Sequence, residues 1–314
     1  MNRIESFLLA ALLAAASSPL YAAAAALVDG VQMPAWVERN VVGSVQRTPL
    51  AAGMELKPGD TLKTGAGARI YVKLAEGSLV QLGENASLQL QEIAPQKDGI
   101  FKAALNVLEG AFRFTTEAVA KKRRREVSIA VRTVTAGIRG TDLWGRSTEE
   151  RQIVCLIEGK IEVGAQGESA VAMDQPLQFY QREKGKTAPV GFVSAELLKQ
   201  WAAETAIEKS KGAARRGGAW KVTLFTADAQ GPALAVYDQL RVNGYAAEIR
   251  PTRLKPEAPA EEKKADDQKA EAPKAEGKLV YVVRIGNLPT KADAEALAAS
   301  LKGKFGVAEP KVSR

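Results

Sequence analysis

The chain has 314 residues, room for two modest domains and a linker, with 46% apolar residues and a formal net charge of +8. It contains no histidine and one cysteine, Cys155. Serine–histidine catalysis, a histidine-ligated metal and an intramolecular disulfide are therefore excluded, and the positive balance favours anionic surfaces without choosing among them.

The chain opens MNRIESFLLAALLAAASSPLYAAAAALVDG. Arg3 gives a weakly positive start, an apolar core runs from Phe7 to Ala16, and Ala22-Ala23-Ala24 offers a small-x-small cleavage site. A core of about ten residues is short of the roughly 20 that a bilayer span needs. Residues 1–24 read as a secretory signal, which places the mature chain in the periplasm with no transmembrane segment. No cysteine follows the small residues, so a bacterial lipid anchor is not expected.

Residues 36–165 read as all-β, of sandwich or jelly-roll type. Short runs such as VVGSVQ, ARIYVKL, SLQLQEI, ALNVLEGAFRFTT, VSIAVRTVTAG and RQIVCLIEGKIEV alternate or run apolar, with Gly, Asp, Asn and Pro between them. The basic run KKRRR, Lys121 to Arg125, is either an anion patch or a solvated turn that blunts a sheet edge. No aromatic residues interleave with it, so nucleic acid is not expected as a partner. Cys155, inside QIVCLIEG, reads as a small buried hydrophobe. Glu109 and Glu158 each precede a glycine and are assigned to turns at strand ends, which leaves no acid pair for a hydrolase.

This region resembles a FecR-type domain. The resemblance rests on VVGSVQ, on LKPGDTLKTGAGARIYVKLAEGSLVQLGENASLQL, on LNVLEGAFRF, and on TAGIRGTDLW followed by CLIEGKIEV, and covers Val41 to Val163. It implies an exported, sandwich-like domain without enzymatic chemistry. The best-known members are membrane-anchored regulators of iron-uptake signalling, and this chain departs from them in lacking an internal transmembrane helix and a cytoplasmic segment. The resemblance also implies that IRGTD is a turn joining two core strands. Gly137 and Gly140 would supply the backbone freedom, and Arg139 and Asp142 would pair or hydrogen-bond across it.

Residues 190–212 read as a helical brace and linker. Ser194 is the N-cap, Leu197, Leu198, Trp201, Ala202 and Thr205 form one side, and GAARRGG breaks the chain. From residue 219 to 314 the pattern strand–helix–strand occurs twice, predicting an α+β domain of βαββαβ, ferredoxin-like type, which makes the whole chain multidomain. WKVTLF, GPALAVYDQLRVNG and YAAEIRP make the first half. KLVYVVRIG, TKADAEALAASLKGKFG and VAEPKVS make the second, with Thr290 as N-cap and Asp293 at the capping-box position. Between them, residues 255–277 carry Pro, Ala and mixed charge and read as a disordered insertion.

The repeat resembles a SPOR domain over Trp220 to Val312, on WKVTLFTADAQ and YVVRIGNLPTKADAEALAASL. The resemblance implies that the open sheet face holds peptidoglycan glycan strands. Thr223 stands where the family often has glutamine, Thr226 where serine is common, and Val282 where arginine is frequent. Simple alternation puts Lys221, Thr223 and Phe225 on one face, and Tyr281, Val283 and Ile285 opposite Val282 and Arg284. Thr223, Phe225, Thr226, Tyr281 and Arg284 are the candidate glycan contacts. Two readings stay open: a non-enzymatic wall-glycan tether whose β domain binds an envelope protein, or a periplasmic signalling and protein-interaction protein whose SPOR-like sheet does not bind glycan. Neither needs a metal or cofactor.

Overall fold

The structure is a computed structural model that describes residues 24–95, 99–116, 124–254 and 277–314, without the side chains of Pro95 and Arg139. Almost all of the expected signal segment, Lys121 to Arg123 of the basic run and nearly all of the expected insertion lie outside the described residues.

In chain order the strands are β1 Ala26–Gln32, β2 Ala35–Val41, β3 Ser44–Pro49, β4 Glu55–Leu56, β5 Thr61–Thr64, β6 Arg69–Leu74, β7 Leu79–Leu82, β8 Ser87–Pro95 and β9 Phe101–Thr115. Then come β10 Arg125–Val131, β11 Val134–Ser147, β12 Arg151–Ala165, β13 Val171–Met173, β14 Gln178–Glu183, β15 Lys186–Thr187 and β16 Gly191–Phe192. The rest are α1 Ala195–Ala203, β17 Ala214–Arg215, β18 Trp220–Ala227, α2 Gln230–Val242, β19 Glu248–Arg253, β20 Leu279–Leu288, α3 Lys291–Leu301 and β21 Lys311–Ser313.

The N-terminal region is all-β, and three long strands organise it. The first half of β9 lies between β8 and a parallel β10, and its second half lies between β7 and β11. β11 pairs with β10 through Ile138 and with β9 from Asp142, while β12 follows it along the other edge. The long strands thus pass from one sheet layer to another. Alternate residues of both layers point into one core that includes Val37, Leu62, Leu90, Leu105, Phe112, Phe114, Leu143 and Val163. This β region extends beyond the expected 36–165, because β1, β14 and β17 are built into it.

IRGTD is not a turn between strands. The connection between β10 and β11 is Arg132-Thr133, and IRGTD lies inside β11, where the register with β12 shifts between Arg139 and Asp142. Gly140 has φ +64° and Gly159 has φ +95°, and a Cβ on Gly159 would stand 2.7 Å from the Gly140 carbonyl oxygen. The two glycines let neighbouring strands bend together at van der Waals contact. Gly137 plays no such part: its φ is not positive, and a Cβ there would meet nothing within 4 Å. Asp142 takes a bidentate pair from Arg113 on β9, with Nε–Oδ1 2.9 Å and Nη2–Oδ2 2.6 Å. Glu109 and Glu158 likewise lie within β9 and β12 and not at strand ends.

The segment from Ser194 to Arg215 straps the outer face of the second layer. The Ser194 hydroxyl accepts from the Leu197 N–H, opening α1. Trp201 then stacks on Trp144 with ring centroids 4.7 Å apart. Beyond the helix, Thr205 meets Gln81, and the Ile207 N–H donates to the Tyr71 hydroxyl at 2.9 Å. Arg215 lies over the Tyr71 ring as β17 pairs with β1. The GAARRGG segment is therefore partly a strand.

The C-terminal region is a four-stranded antiparallel sheet in the order β19-β20-β18-β21, joined by two helices. Val222, Leu224, Val283 and Ile285 share a core with Leu240 of α2 and Leu297 and Leu301 of α3. Thr290 caps α3, accepting from the Asp293 N–H at 3.1 Å and donating to its carboxylate at 2.6 Å. The sheet region docks on the β region: the Ala35 N–H donates to the Gly244 carbonyl at 3.1 Å, and Gly244 sits against Trp36 and Pro34.

Candidate functional site

Strand register decides which candidate residues can share a surface, because directly paired residues project to one face. Lys311, Thr223, Arg284 and Glu248 form one row across four strands. Thr226, Val282 and Arg250 form a second row on the same face. Thr223, Thr226 and Arg284 are therefore brought together.

Phe225 and Tyr281 are not. A bulge at Leu224 shifts the register between Thr223 and Phe225, so Phe225 pairs with Val283, which is fully buried on the helix side. Tyr281 lies two residues before Val283 in an uninterrupted stretch and shares its face. Both aromatic rings pack against the core. The expectation that Phe225 lies on the Thr223 face is thus corrected. The cause is the extra residue of the bulge, which reverses the alternation beyond it.

The open face is ionic. Arg284 Nε donates to Glu248 Oε1 at 2.7 Å, and Arg250 donates to Glu248 Oε2 through Nε at 3.1 Å and Nη2 at 3.0 Å. Partial burial pushes the Glu248 carboxyl up, but the hydrogen bonds from Arg250 and Arg284 outweigh it and hold the group below the usual carboxylate range. One carboxylate thus spaces two guanidinium groups.

Of the β-region residues singled out in the sequence, the side chain of Arg139 lies outside the described residues, and three others have contacts that can be named. Asp142 is held by Arg113, Gly140 sits at the strand bend, and Cys155 is fully buried, its thiol pushed up to about 12 by desolvation. No group of three or more Cys, Asp or Glu side chains able to hold a metal occurs among the described residues. No helix among them is long and apolar enough to cross a membrane.

One exposed element escaped the sequence reasoning. The β2–β3 hairpin ends in Val42-Gly43, and Val41, Val42 and Val45 are all exposed, Val42 completely. Val42 holds φ +45°, a conformation that a β-branched residue rarely takes. The signal was present in NVVGSV, two residues of turn between alternating runs.

Residues 60–162 match the family described as FecR protein, so a FecR domain occupies the centre of the β region. No curated protein matches the chain. Two crystal structures provisionally described as an anti-sigma factor from Parabacteroides distasonis ATCC 8503 are similar to it. One has 16% identity and a TM-score of 0.37, over 45% of this chain and 64% of that one. The other has 15% identity and a TM-score of 0.38, over 59% and 74%. The chain therefore spans slightly less than two thirds of the first of these structures.

Proposed function

We propose that this chain is a non-enzymatic signalling and protein-interaction component on the periplasmic side of the cell envelope, acting through the β region that contains its FecR domain. The observation that carries this reading is the FecR domain itself, over residues 60–162. The ionic open face of the C-terminal sheet adds to it. Sugar rings are held by aromatic faces, yet Phe225 and Tyr281 pack on the core and the open face offers Lys311, Arg284, Glu248 and Arg250. Paired charges of both signs suit a protein partner, for which they set register and on-rate. The apolar hairpin tip at Val41, Val42 and Val45 is the part of the β region that we assign to the partner.

The test is in-cell photocrosslinking from position 42, with position 302 as control, beside co-sedimentation of the purified chain with intact and amidase-stripped peptidoglycan. A discrete adduct from position 42 alone, with no preference for stripped wall, is the expected result. Absence of any adduct, together with salt-resistant retention on stripped wall, would overturn it.

A glycan-holding, SPOR-type sheet is the second reading. The direct pairing of Thr223 with Arg284 on the open face favours it. On that reading, Thr223→Ala and Arg284→Ala each abolish retention on stripped wall.

A further inference from the structure

We infer that the cleft between the β region and the C-terminal sheet is a binding site for a small organic carboxylate. The cleft encloses about 550 Å³. That volume falls within the roughly 300–1,000 Å³ of small-molecule sites. One wall comes from the β region, including Leu50 and Met54, and the other from the sheet region, including Trp220. Met54 and Trp220 give these walls apolar patches for the carbon body of an organic ligand.

The charged lining fixes the ligand's sign. Lys221, Arg241, Arg250 and Arg284 line the cleft against a single carboxylate, that of Glu248. The surplus is three positive charges. Arg284 and Arg250 together already hold the Glu248 carboxylate at 2.7 to 3.1 Å, so the lining can grip a carboxylate in this setting. Arg241 has a neutral acceptor instead. Arg241 reaches the Tyr237 hydroxyl at 3.4 Å, while the Lys221 ammonium donates to a main-chain oxygen of Arg314, the last residue of the sequence, at 2.9 Å. A ligand carboxylate would replace the Arg241 contact with a charge-assisted one, about twice as strong. Ala219, Ala246 and Ala247 bring only short side chains to the lining.

Titration calorimetry on the full chain tests the site, with citrate as probe, inorganic phosphate as the anion without a carbon body, and glycerol as the neutral control. Lys221→Gln and Arg241→Gln are compared with Lys304→Gln, a change at an exposed lysine that does not line the cleft. The expected result is saturable one-to-one binding of citrate, no binding of glycerol, and about tenfold weaker binding in each cleft variant, the size of one charge-assisted hydrogen bond. Equal weakening by Lys304→Gln would reduce the effect to net charge and overturn the site. Phosphate binding as tight as citrate would overturn the carboxylate assignment, and no saturable citrate binding would overturn the inference altogether. Circular dichroism on each variant separates loss of binding from loss of fold. The protein-partner reading is separable from these outcomes, since the FecR domain carries it and its crosslinking test reads the hairpin tip; only the ionic face that adds to it is shared with the cleft.

Discussion

At the scale of single residues, the bend in β11 and β12 makes the sharpest demand on amino-acid type. Gly159→Ala places a Cβ 2.7 Å from the Gly140 carbonyl oxygen at a φ of +95°, and both clash and strain oppose it. A loss of about 2 kcal/mol or more is expected in urea unfolding. Gly137→Ala meets open space at an ordinary φ, so it should be neutral or slightly stabilising, by less than about 1 kcal/mol. Equal losses for the two would contradict the bend. Cys155 gives the pH prediction. Its folded thiol is pushed up to about 12 by burial, above the ordinary value of 9.0 that the unfolded chain would show. The folded state then binds the extra proton between those values, so the contribution is complete below about pH 8.5 and declines as pH rises toward 12. Wild type should lose stability more steeply than Cys155→Ala across that window. At pH 8, labelling of the native thiol by a disulfide reagent should be at least about 100-fold slower than that of the urea-unfolded chain.

At the scale of elements, the strap over the second sheet layer has a testable energetic role. Trp201 on α1 stacks on the fully buried Trp144 and meets Phe179 edge-on, in the same cluster as Cys155. Trp201→Ala should cost about 2–3 kcal/mol, less than full core truncation because the ring is partly exposed. Thiol labelling of Cys155 should accelerate in parallel. Unchanged labelling with reduced stability would mean that the strap stabilises the layer without covering it. Elements of this local kind were legible in the sequence. The Ser194 cap and the Thr290–Asp293 cap follow from short-range hydrogen bonding, and Leu198 and Trp201 pack as helical period places them, whereas Leu197 is exposed and Thr205 lies beyond the helix. Mid-strand events were not. IRGTD reads as a turn because glycine reports backbone freedom but not what that freedom is for; only the neighbouring strand, with Gly159 facing Gly140, makes it a bend. The Leu224 bulge was hidden for a similar reason. Alternation assumes an unbroken period of two, and one extra residue sends Phe225 to the face opposite Thr223.

At the scale of the whole molecule, function depends on whether the β region and the C-terminal sheet move as one body. Their contact includes a closely fitted ring. Gly244, just beyond the end of α2 at φ +81°, lies against the Trp36 indole so closely that a Cβ would stand 2.6 Å from the ring. Arg47 covers the indole with its guanidinium carbon 4.0 Å from the ring centroid. The indole N–H is buried without an acceptor, so its polar edge contributes nothing to the docking. Ring area, not the N–H, should therefore hold the two regions together. Trp36→Phe keeps a ring and removes the orphan donor, and should leave docking nearly intact. Trp36→Ala removes the platform under both Gly244 and Arg47. It should raise the radius of gyration by small-angle scattering and expose the connection at Arg216 to trypsin several-fold faster. Because the carboxylate cleft takes one wall from each region, the same variant should weaken citrate binding. It should leave crosslinking from Val42 unchanged, since the hairpin tip lies at the far end of β2. Loss of both together would place the tip and the cleft in one cooperative unit, with the partner reading changes at the cleft through the β2–β3 hairpin. Loss of neither, with an unchanged scattering profile, would mean that Ala35, Met33 and the remaining backbone contacts suffice to hold the two regions without the indole.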